Sequence, residues 1–303
     1  MCVVTTSIQG QTVLLIPDSA NSRVSAFSPV AGSMIDLNFI PDDGPLGNST
    51  LDDPRNAIGS GRGTIFVSDE DADAVFEYGF DGNLIGTFAD ATQGLGGVRG
   101  IAVNGDSLYV NSTAGTDSVQ EFNLVTGVQS TWTTTNLASQ IDIHFRDNDV
   151  LISNFFSDNV ERYDLDGNFL STFVDGNGTD GVDFPQQIHE ASNGDILVAG
   201  LSTPEGIYRY DASGNLLSYT DVGSIRGLYE LQNGNILFTS VAFGVVALEP
   251  STGQLTQIAS PGGSSWQFIE AVTVPEPTGF HLILIALPAL YRRKVSGTRR
   301  RSF

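Results

Sequence analysis

Short runs of β-branched and aromatic residues recur along the chain, and a turn containing glycine or asparagine separates each run from the next. In residues 160–173, two such runs flank Asp166, Gly167 and Asn168, which accept the positive φ angles of a tight turn. The pattern predicts two antiparallel strands joined by a two-residue hairpin turn. Because a single hairpin is only marginally stable in water, we expect it to pair with further strands.

The hairpin pattern occurs six times. Its copies begin at Val24, Val75, Val119, Val160, Ile207 and Val245. Successive copies are 38 to 51 residues apart, a further strand precedes each hairpin, and one more strand precedes five of them. These five innermost strands are predicted at residues 55–59, 99–103, 140–145, 186–191 and 226–231. Four short strands in about 40–45 residues are typical of one blade of a β-propeller.

The first repeat lacks an innermost strand, because the chain reaches its second strand already at residues 12–16. A spare strand follows the last repeat, at residues 266–272. If this strand completes the first blade, the ring closes without an exposed sheet edge. The sequence therefore predicts an all-β fold, a six-bladed propeller over residues 12–274. A segment of residues 1–11 precedes it and a tail of residues 275–303 follows it.

Two motifs within the repeats resemble those of the NHL-like six-bladed propellers. Residues 94–110 read GLGGVRGIAVNGDSLYV, and residues 21–27 read NSRVSAF. The resemblance covers residues 12–272 and implies the propeller fold, but it implies little about activity. The fourth innermost strand departs from the family pattern through Asp142 and His144, and the sixth repeat lacks the asparagine–arginine pair.

The charge of the chain is concentrated and unbalanced. Among 303 residues there are 35 acidic and 14 basic side chains, and six of the basic ones lie in the last twelve residues. The part before Pro277 holds eight arginines, no lysine and all 35 acids, a formal net charge of −27. Such a domain repels nucleic acid, and its acidity fits either solubility outside the cell or calcium binding. Cys2 is the only cysteine, so no disulfide forms within the chain.

Propellers usually bind ligands where the innermost strands begin, around the central channel. The candidate binding residues at this repeat position are Arg55, Arg99, Gln140, Gln187, Arg226 and Gln267. Guanidinium groups bind carboxylates or sugar hydroxyls through forked hydrogen bonds, so these residues predict a polar binding funnel. In the alternative interpretation, each arginine pairs with an acid of a neighbouring loop, such as Asp52 or Asp53.

Two histidines occupy similar places in adjacent innermost strands. His144 in the fourth and His189 in the fifth could share a proton or ligate a metal, together with Asp142 and Glu190. These four residues are the candidate catalytic group. The alternative is that both histidines are structural. The sequence shows no nucleophile motif, no phosphate-binding glycine loop and no zinc-ligand pair.

Two oxygen-rich loops are candidates for weak calcium binding. The candidate ligands are Asp69, Asp71 and Asp73 in one loop and Asp175, Asp180 and Asp183 in the other. The first loop is no EF-hand, because Ala74 follows the third acid and Phe80 stands at the twelfth position. Calcium is the one cofactor that the sequence suggests.

The tail has the order of features found in a sorting signal. Pro275, Glu276 and Pro277 precede an apolar run at residues 279–291, and basic residues follow at 292–301. This order is similar to a PEP-CTERM signal, which implies processing by an exosortase-type enzyme at the cell envelope. The apolar run has only 13 residues, whereas a spanning helix needs about 20, so we expect a transient membrane contact. Cations after an apolar run mark the cytoplasmic side.

These features predict an exported cell-envelope propeller that acts as a binding or interaction module. Its partner is an envelope protein, a peptide or a carbohydrate, and nucleic acid is excluded. Residues 1–7 lack the basic and apolar segments of a secretory signal, so we expect that signal upstream of Met1. Two alternatives stay open: a lactonase-like propeller hydrolase or lyase that uses channel residues, and a structural protein of the extracellular matrix.

Overall fold

Six four-stranded antiparallel sheets are arranged as the blades of a propeller in the computed structural model, which describes residues 11–41, 50–113, 115–176 and 181–274. From the innermost strand outward, the strands of blade 1 are β24 (Glu270–Val274), β1 (Gln11–Asp18), β2 (Arg23–Phe27) and β3 (Met34–Ile40). Those of blade 2 are β4 (Pro54–Gly59), β5 (Ile65–Asp69), β6 (Ala74–Tyr78) and β7 (Leu84–Ala89). Those of blade 3 are β8 (Ile101–Asn104), β9 (Ser107–Ser112), β10 (Ser118–Asn123) and β11 (Gln129–Thr133). The predicted six-bladed architecture is confirmed.

The remaining three blades follow the same order. Blade 4 contains β12 (Gln140–Phe145), β13 (Val150–Asn154), β14 (Asn159–Tyr163) and β15 (Phe169–Asp175). Blade 5 contains β16 (Asp183–Glu190), β17 (Ile196–Ser202), β18 (Gly206–Tyr210) and β19 (Leu216–Thr220). Blade 6 contains β20 (Ile225–Glu230), β21 (Ile236–Ser240), β22 (Gly244–Glu249) and β23 (Gln254–Ala259). The helical elements among the described residues are two single 3-10 turns, Ser19–Asn21 and Ala91–Gln93, and no described helix is long and apolar enough to cross a membrane.

The core lies between the blades, because each blade buries both faces of its middle strands. In β5, Ile65 and Val67 pack against blade 1, whereas Phe66 packs against blade 3 from the opposite face. This two-sided burial explains why the second strand of each repeat reads as a continuous apolar run rather than an alternating one. Fully burying one large apolar side chain contributes about 1.5–3 kcal/mol, so these strands supply much of the stability of the ring.

The ring closes through the spare strand that the sequence predicts after the last repeat. Strand β24 pairs antiparallel with β1, from Gln11 opposite Val274 to Leu15 opposite Glu270. The predicted strand at residues 266–272 is shifted, because its first half makes only one isolated bridge, between Trp266 and Asp18. That half runs across neighbouring blades instead of along β1 alone. The Phe268 amide donates to the Arg55 carbonyl of blade 2 at 3.4 Å.

The predicted two-residue hairpin turn is wrong. The connection between β14 and β15 spans residues 164–168, and Gly167 within it has a φ of 85°. The Asp164 carboxylate accepts hydrogen bonds from the amides of Asp166 and Asn168, at 3.0 and 2.8 Å. This side-chain bonding stabilises a longer loop than the hairpin pattern suggests.

Glycines allow the innermost strands to approach one another closely. A Cβ atom added to Gly100 would lie 2.5 Å from the Ile141 carbonyl oxygen, and one added to Gly227 would lie 2.5 Å from the Gln267 carbonyl oxygen. Contacts this short exclude any side chain. Each of these glycines follows an arginine, Arg99 or Arg226, so the close approach draws those two arginines towards the channel.

Candidate functional site

The two ends of the channel are chemically different. The innermost strands begin at one end, and the loops between the second and third strands of each blade lie at that same end. Three arginines converge there on a cavity of about 190 Å³. We call this cavity the arginine mouth; its lining residues include Arg55, Glu70, Arg99, Gln186, Arg226 and Gln267, with Phe155 and Phe268 beside them.

Glu70 neutralises two of the three arginines. Its carboxylate lies 2.7 Å from Arg55 Nε and 2.7 Å from Arg99, and Arg55 also pairs with Asp53 at 2.5 Å. Burial alone would raise the pKa of Glu70, but the interactions with Arg99 and Arg55 outweigh it and hold that pKa below its ordinary value. The alternative interpretation of the arginines therefore applies to Arg55 and Arg99. Sequence reasoning missed Glu70 as their shared partner.

Arg226 differs from the other two arginines. Its guanidinium donates to Gln267 Oε1 at 3.2 Å, and its Nε has no hydrogen-bond partner among the described residues. Burial lowers the pKa of Arg226 and the nearby Arg55 lowers it further, whereas the charges of Asp53 and Glu70 act in the opposite direction. A partly buried guanidinium without a carboxylate in contact is less well stabilised than a paired one, so Arg226 is the mouth arginine that is available to an anionic ligand.

The structure places the predicted glutamines in different environments. Gln267 lines the mouth, whereas the buried Gln140 donates to the carbonyls of Ser112 and Ser118 between blades. The side chain of Gln187 is buried inside the ring and hydrogen-bonds blades 6 and 1. Its neighbour Gln186 lines the mouth instead. The strand register decides which of two adjacent glutamines faces the cavity, and the sequence pattern does not fix it.

Deeper in the ring lies a pair of carboxyl groups, Asp142 and Glu270, which we call the carboxyl interior. Asp142 accepts a hydrogen bond from the Ile188 amide at 2.8 Å, and Glu270 accepts one from Gln187 at 2.9 Å. Burial raises the pKa of Glu270 to about 8, and the charge of Asp142 raises it too. Burial also raises the pKa of Asp142, to about 6.

Sequence reasoning missed Glu270, although its repeat position was informative. Glu270 pairs with Leu15 of the second strand. The equivalent residues in the innermost strands of the other five blades are Ile58, Ala102, His144, His189 and Tyr229. Glu270 therefore occupies the same repeat position as the two histidines, and that shared position was the signal that could have linked the three.

The two histidines lie near this interior and contact different partners. His189 packs against the Tyr229 ring, 4.6 Å between centroids, and burial lowers its pKa to about 4. His144 Nε2 lies 3.9 Å from Glu190 Oε2 and makes no hydrogen bond to any described residue. The interaction with His144 lowers the pKa of Glu190. His144 therefore faces the Glu190 carboxylate, whereas His189 is neutral and packed against Tyr229.

A second cavity, which we call the far cavity, lies where the innermost strands end. Its volume is about 590 Å³, and its lining includes Gly61, Phe80, His144, Phe145 and Glu270. The carboxyl interior thus opens on the far cavity through Glu270. The arginine mouth and the far cavity have none of their lining residues in common.

The first of the two predicted calcium loops directs its acids to different partners. Asp69 is fully buried and accepts hydrogen bonds from the amides of Asp52, Asp53 and Ala72. Asp73 accepts one from the Gly97 amide, whereas Asp71 is exposed. In the second loop, Asp175 and Asp183 are described but Asp180 lies outside the described residues. Among the residues that the structure describes, no three histidine, cysteine or acidic side chains are grouped as metal ligands.

The sorting motif lies outside the described residues, as do the apolar and basic parts of the tail. The processing of residues Pro275, Glu276 and Pro277 therefore stays a prediction.

Comparison with known proteins shows the fold alone. No protein-family model and no curated protein matches the chain in sequence. A chain in a crystal structure of a nidogen/laminin complex is similar over 87% of this chain and 99% of its own length, with a TM-score of 0.72 and 12% identity. A protein of unknown function from Bacteroides caccae covers 86% of this chain and 98% of its own, with a TM-score of 0.58 and 14% identity. A streptogramin B lyase structure is similar over 82% of this chain and 74% of its own length, with a TM-score of 0.55 and 14% identity.

Proposed function

We propose that this chain is an exported binding module of the cell envelope that holds its ligand at the arginine mouth. The observation that carries the proposal is the guanidinium of Arg226, which lines the mouth and makes its hydrogen bond to the neutral Gln267 rather than to a carboxylate. Ligand sites are concave, with a few polar groups that orient the ligand among apolar surfaces. Phe155 and Phe268 supply apolar surfaces in the mouth.

An aromatic rim beside the mouth supports the same function. The rings of Phe155 and Phe184 stack at 4.1 Å, and the adjacent Phe156 is 72% exposed. Exposed aromatic groups next to a polar cavity are typical of recognition surfaces, because they bury apolar area when a partner binds.

A binding screen with matched variants tests the location of the site. Wild-type protein is titrated calorimetrically with neutral oligosaccharides, amidated peptides and small organic acids. We expect a ligand whose affinity falls at least tenfold in Phe155→Ala and is unchanged in Phe80→Ala, which removes the same ring from the far cavity. Ligands that depend only on Phe80, or a screen without any ligand that depends on Phe155, would contradict the proposal.

Export through the tail is the second part of the proposal. Its support is the order of Pro275–Glu276–Pro277, the apolar run and the basic run in the sequence, together with the −27 charge of the preceding part. We expect the mature protein from the native host to lack the basic residues 292–301, as measured by intact mass. A mature form that ends at Phe303 and is recovered from the cytosol would contradict export.

A lactonase-like hydrolase or lyase is the second candidate function, favoured by His144 and Glu270, which both line the far cavity. The raised pKa values of Asp142 and Glu270 suit proton transfer near neutral pH. Turnover of a substrate that is lost in Phe80→Ala and kept in Phe155→Ala would favour this candidate over the binding module.

A further inference from the structure

One arginine of the described residues takes part in no ion pair. Seven of the eight arginines before Pro277 have a carboxylate oxygen within 4.0 Å: Arg23, Arg55, Arg62, Arg99, Arg146, Arg162 and Arg209. Arg226 is the exception among the residues that the structure describes. In a domain with 35 acids, a cation without an acidic partner is unexpected on charge alone.

The surroundings of Arg226 hold it in place, and Asp53 and Glu70 act on it only through their charge, without an ion pair within 4.0 Å. Gln267 Oε1 accepts from Arg226 at 3.2 Å and from Arg55 at 3.1 Å. The amide nitrogen of Gln267 donates to Ser19 Oγ at 2.8 Å and to Ser265, so the orientation of Gln267 is fixed. Its neutral oxygen supplies one acceptor for two guanidinium groups, and the Nε of Arg226 stays unbonded.

The positive charge of the mouth is therefore only partly neutralised. Its lining holds three guanidinium groups and one carboxylate, that of Glu70, which is already shared between Arg55 and Arg99. Asp53 is engaged with Arg55. An anion placed against Arg226 would make charge-assisted hydrogen bonds that no described protein group makes.

The apolar lining and the volume of the mouth limit which ligand group can lie beside Arg226. Ile141, Leu201, Phe155 and Phe268 give it an apolar lining beside the guanidinium. The volume of about 190 Å³ corresponds to about six water molecules at ~30 Å³ each, so only a small terminal group fits. The stacked rings of Phe155 and Phe184 continue this apolar surface outward.

We propose that Arg226 binds the carboxylate of a ligand whose adjoining group is a small apolar side chain. This inference rests on the proposed binding function and names the ligand class of the same site. A planar carboxylate matches the fork of a guanidinium, and its charge would complete that of the mouth. Two sources share this chemistry: a free apolar monocarboxylic acid, and the C-terminus of a peptide that ends in an aliphatic residue.

Two matched pairs of probes test the inference by calorimetry on the full chain. The first pair is 4-methylpentanoate and its neutral amide; the second is the peptide Gly-Gly-Leu with a free or an amidated C-terminus. We expect at least one acid to bind at least tenfold more tightly than its amide, with an affinity that falls as salt is added. The pair that binds identifies the source.

Variants then assign the binding to Arg226. We expect Arg226→Gln to weaken the acid at least tenfold, Arg226→Lys to weaken it less, and Arg209→Gln to leave the affinity unchanged. Arg209 is a matched control, because it pairs with Asp195 at 3.2 Å, away from the mouth. We also expect the melting temperature of Arg226→Gln to equal or exceed that of the wild type, because the substitution removes a partly buried charge that no carboxylate contacts. A merely structural arginine would lower it.

The outcomes separate this inference from the proposed function. Equal affinity for acid and amide, or no binding of either acid below millimolar concentration, overturns the carboxylate inference. If other ligands still depend on Phe155, the proposed function stands without it. Acid binding that survives Arg226→Gln overturns the role of Arg226, even where Phe155→Ala abolishes that binding.

Discussion

The arginine mouth and the carboxyl interior are built on the same innermost strands, but the mouth is rich in cationic groups whereas the interior holds carboxyl groups. At the mouth, Glu70 offsets two of three cations, and the pKa of Glu70 lies below its ordinary value. In the interior, Asp142 and Glu270 have no arginine beside them, and burial raises both pKa values. The pKa values of similar carboxyl groups are therefore shifted in opposite directions within one channel, because one has cationic partners and the others have amide partners.

The closing segment contributes to both regions, so its loss is the change with the largest expected effect. Gln267 belongs to the mouth and Glu270 to the interior. A chain that ends at Ser265 loses the buried side chains of Trp266, Phe268 and Ile269, each worth about 1.5–3 kcal/mol, and exposes the edge of β1. We expect aggregation, or loss of most of a stability that is typically about 5–15 kcal/mol.

The control for this truncation is a chain that ends at Pro277, which keeps β24. We expect its melting temperature to equal that of the full chain, and thermal unfolding followed by circular dichroism measures both. A chain ending at Ser265 that melts like the control would refute closure of the ring by the last strand.

The pH dependence of the free energy of unfolding distinguishes the two regions further, and its expected effect is smaller than that of the truncation. The pKa of Glu270 rises from 4.5 to about 8 on folding, so folding favours its protonated form. This contribution is fully present below pH 4.5 and is lost as the pH rises through 8. The loss corresponds to about 2–4 kcal/mol between pH 5 and pH 9. Urea unfolding at several pH values measures it, and Glu270→Gln is expected to remove most of the decline.

The matched control is Glu70→Gln at the mouth. The pKa of Glu70 is lowered on folding, so its contribution is present above its ordinary pKa and is lost only as the pH falls through the lowered value. We therefore expect Glu70→Gln to lower stability at neutral pH and to keep the decline towards pH 9. If Glu270→Gln keeps that decline as well, the carboxyl interior is not its source.

The sequence alone determined the parts of this protein that repeat. The hairpin copies predicted six blades, the incomplete first repeat predicted ring closure, and three arginines at one repeat position indicated the mouth. These inferences succeed because a propeller blade is a local unit, whose strands and turns are encoded within a few tens of residues.

The tertiary structure decides which residues of different blades lie close together across the channel. Asp142 and Glu270 come from blades 4 and 1, and Gln187 of blade 5 hydrogen-bonds to Glu270. Their proximity depends on closing the ring, which no local pattern records. Likewise, Gln186 rather than Gln187 faces the mouth, because a shift of one residue along a strand reverses the direction of its side chain. Glu70, far from Arg99 in sequence, neutralises two arginines and leaves Arg226 without an acidic partner among the described residues, since only the folded ring sets those distances.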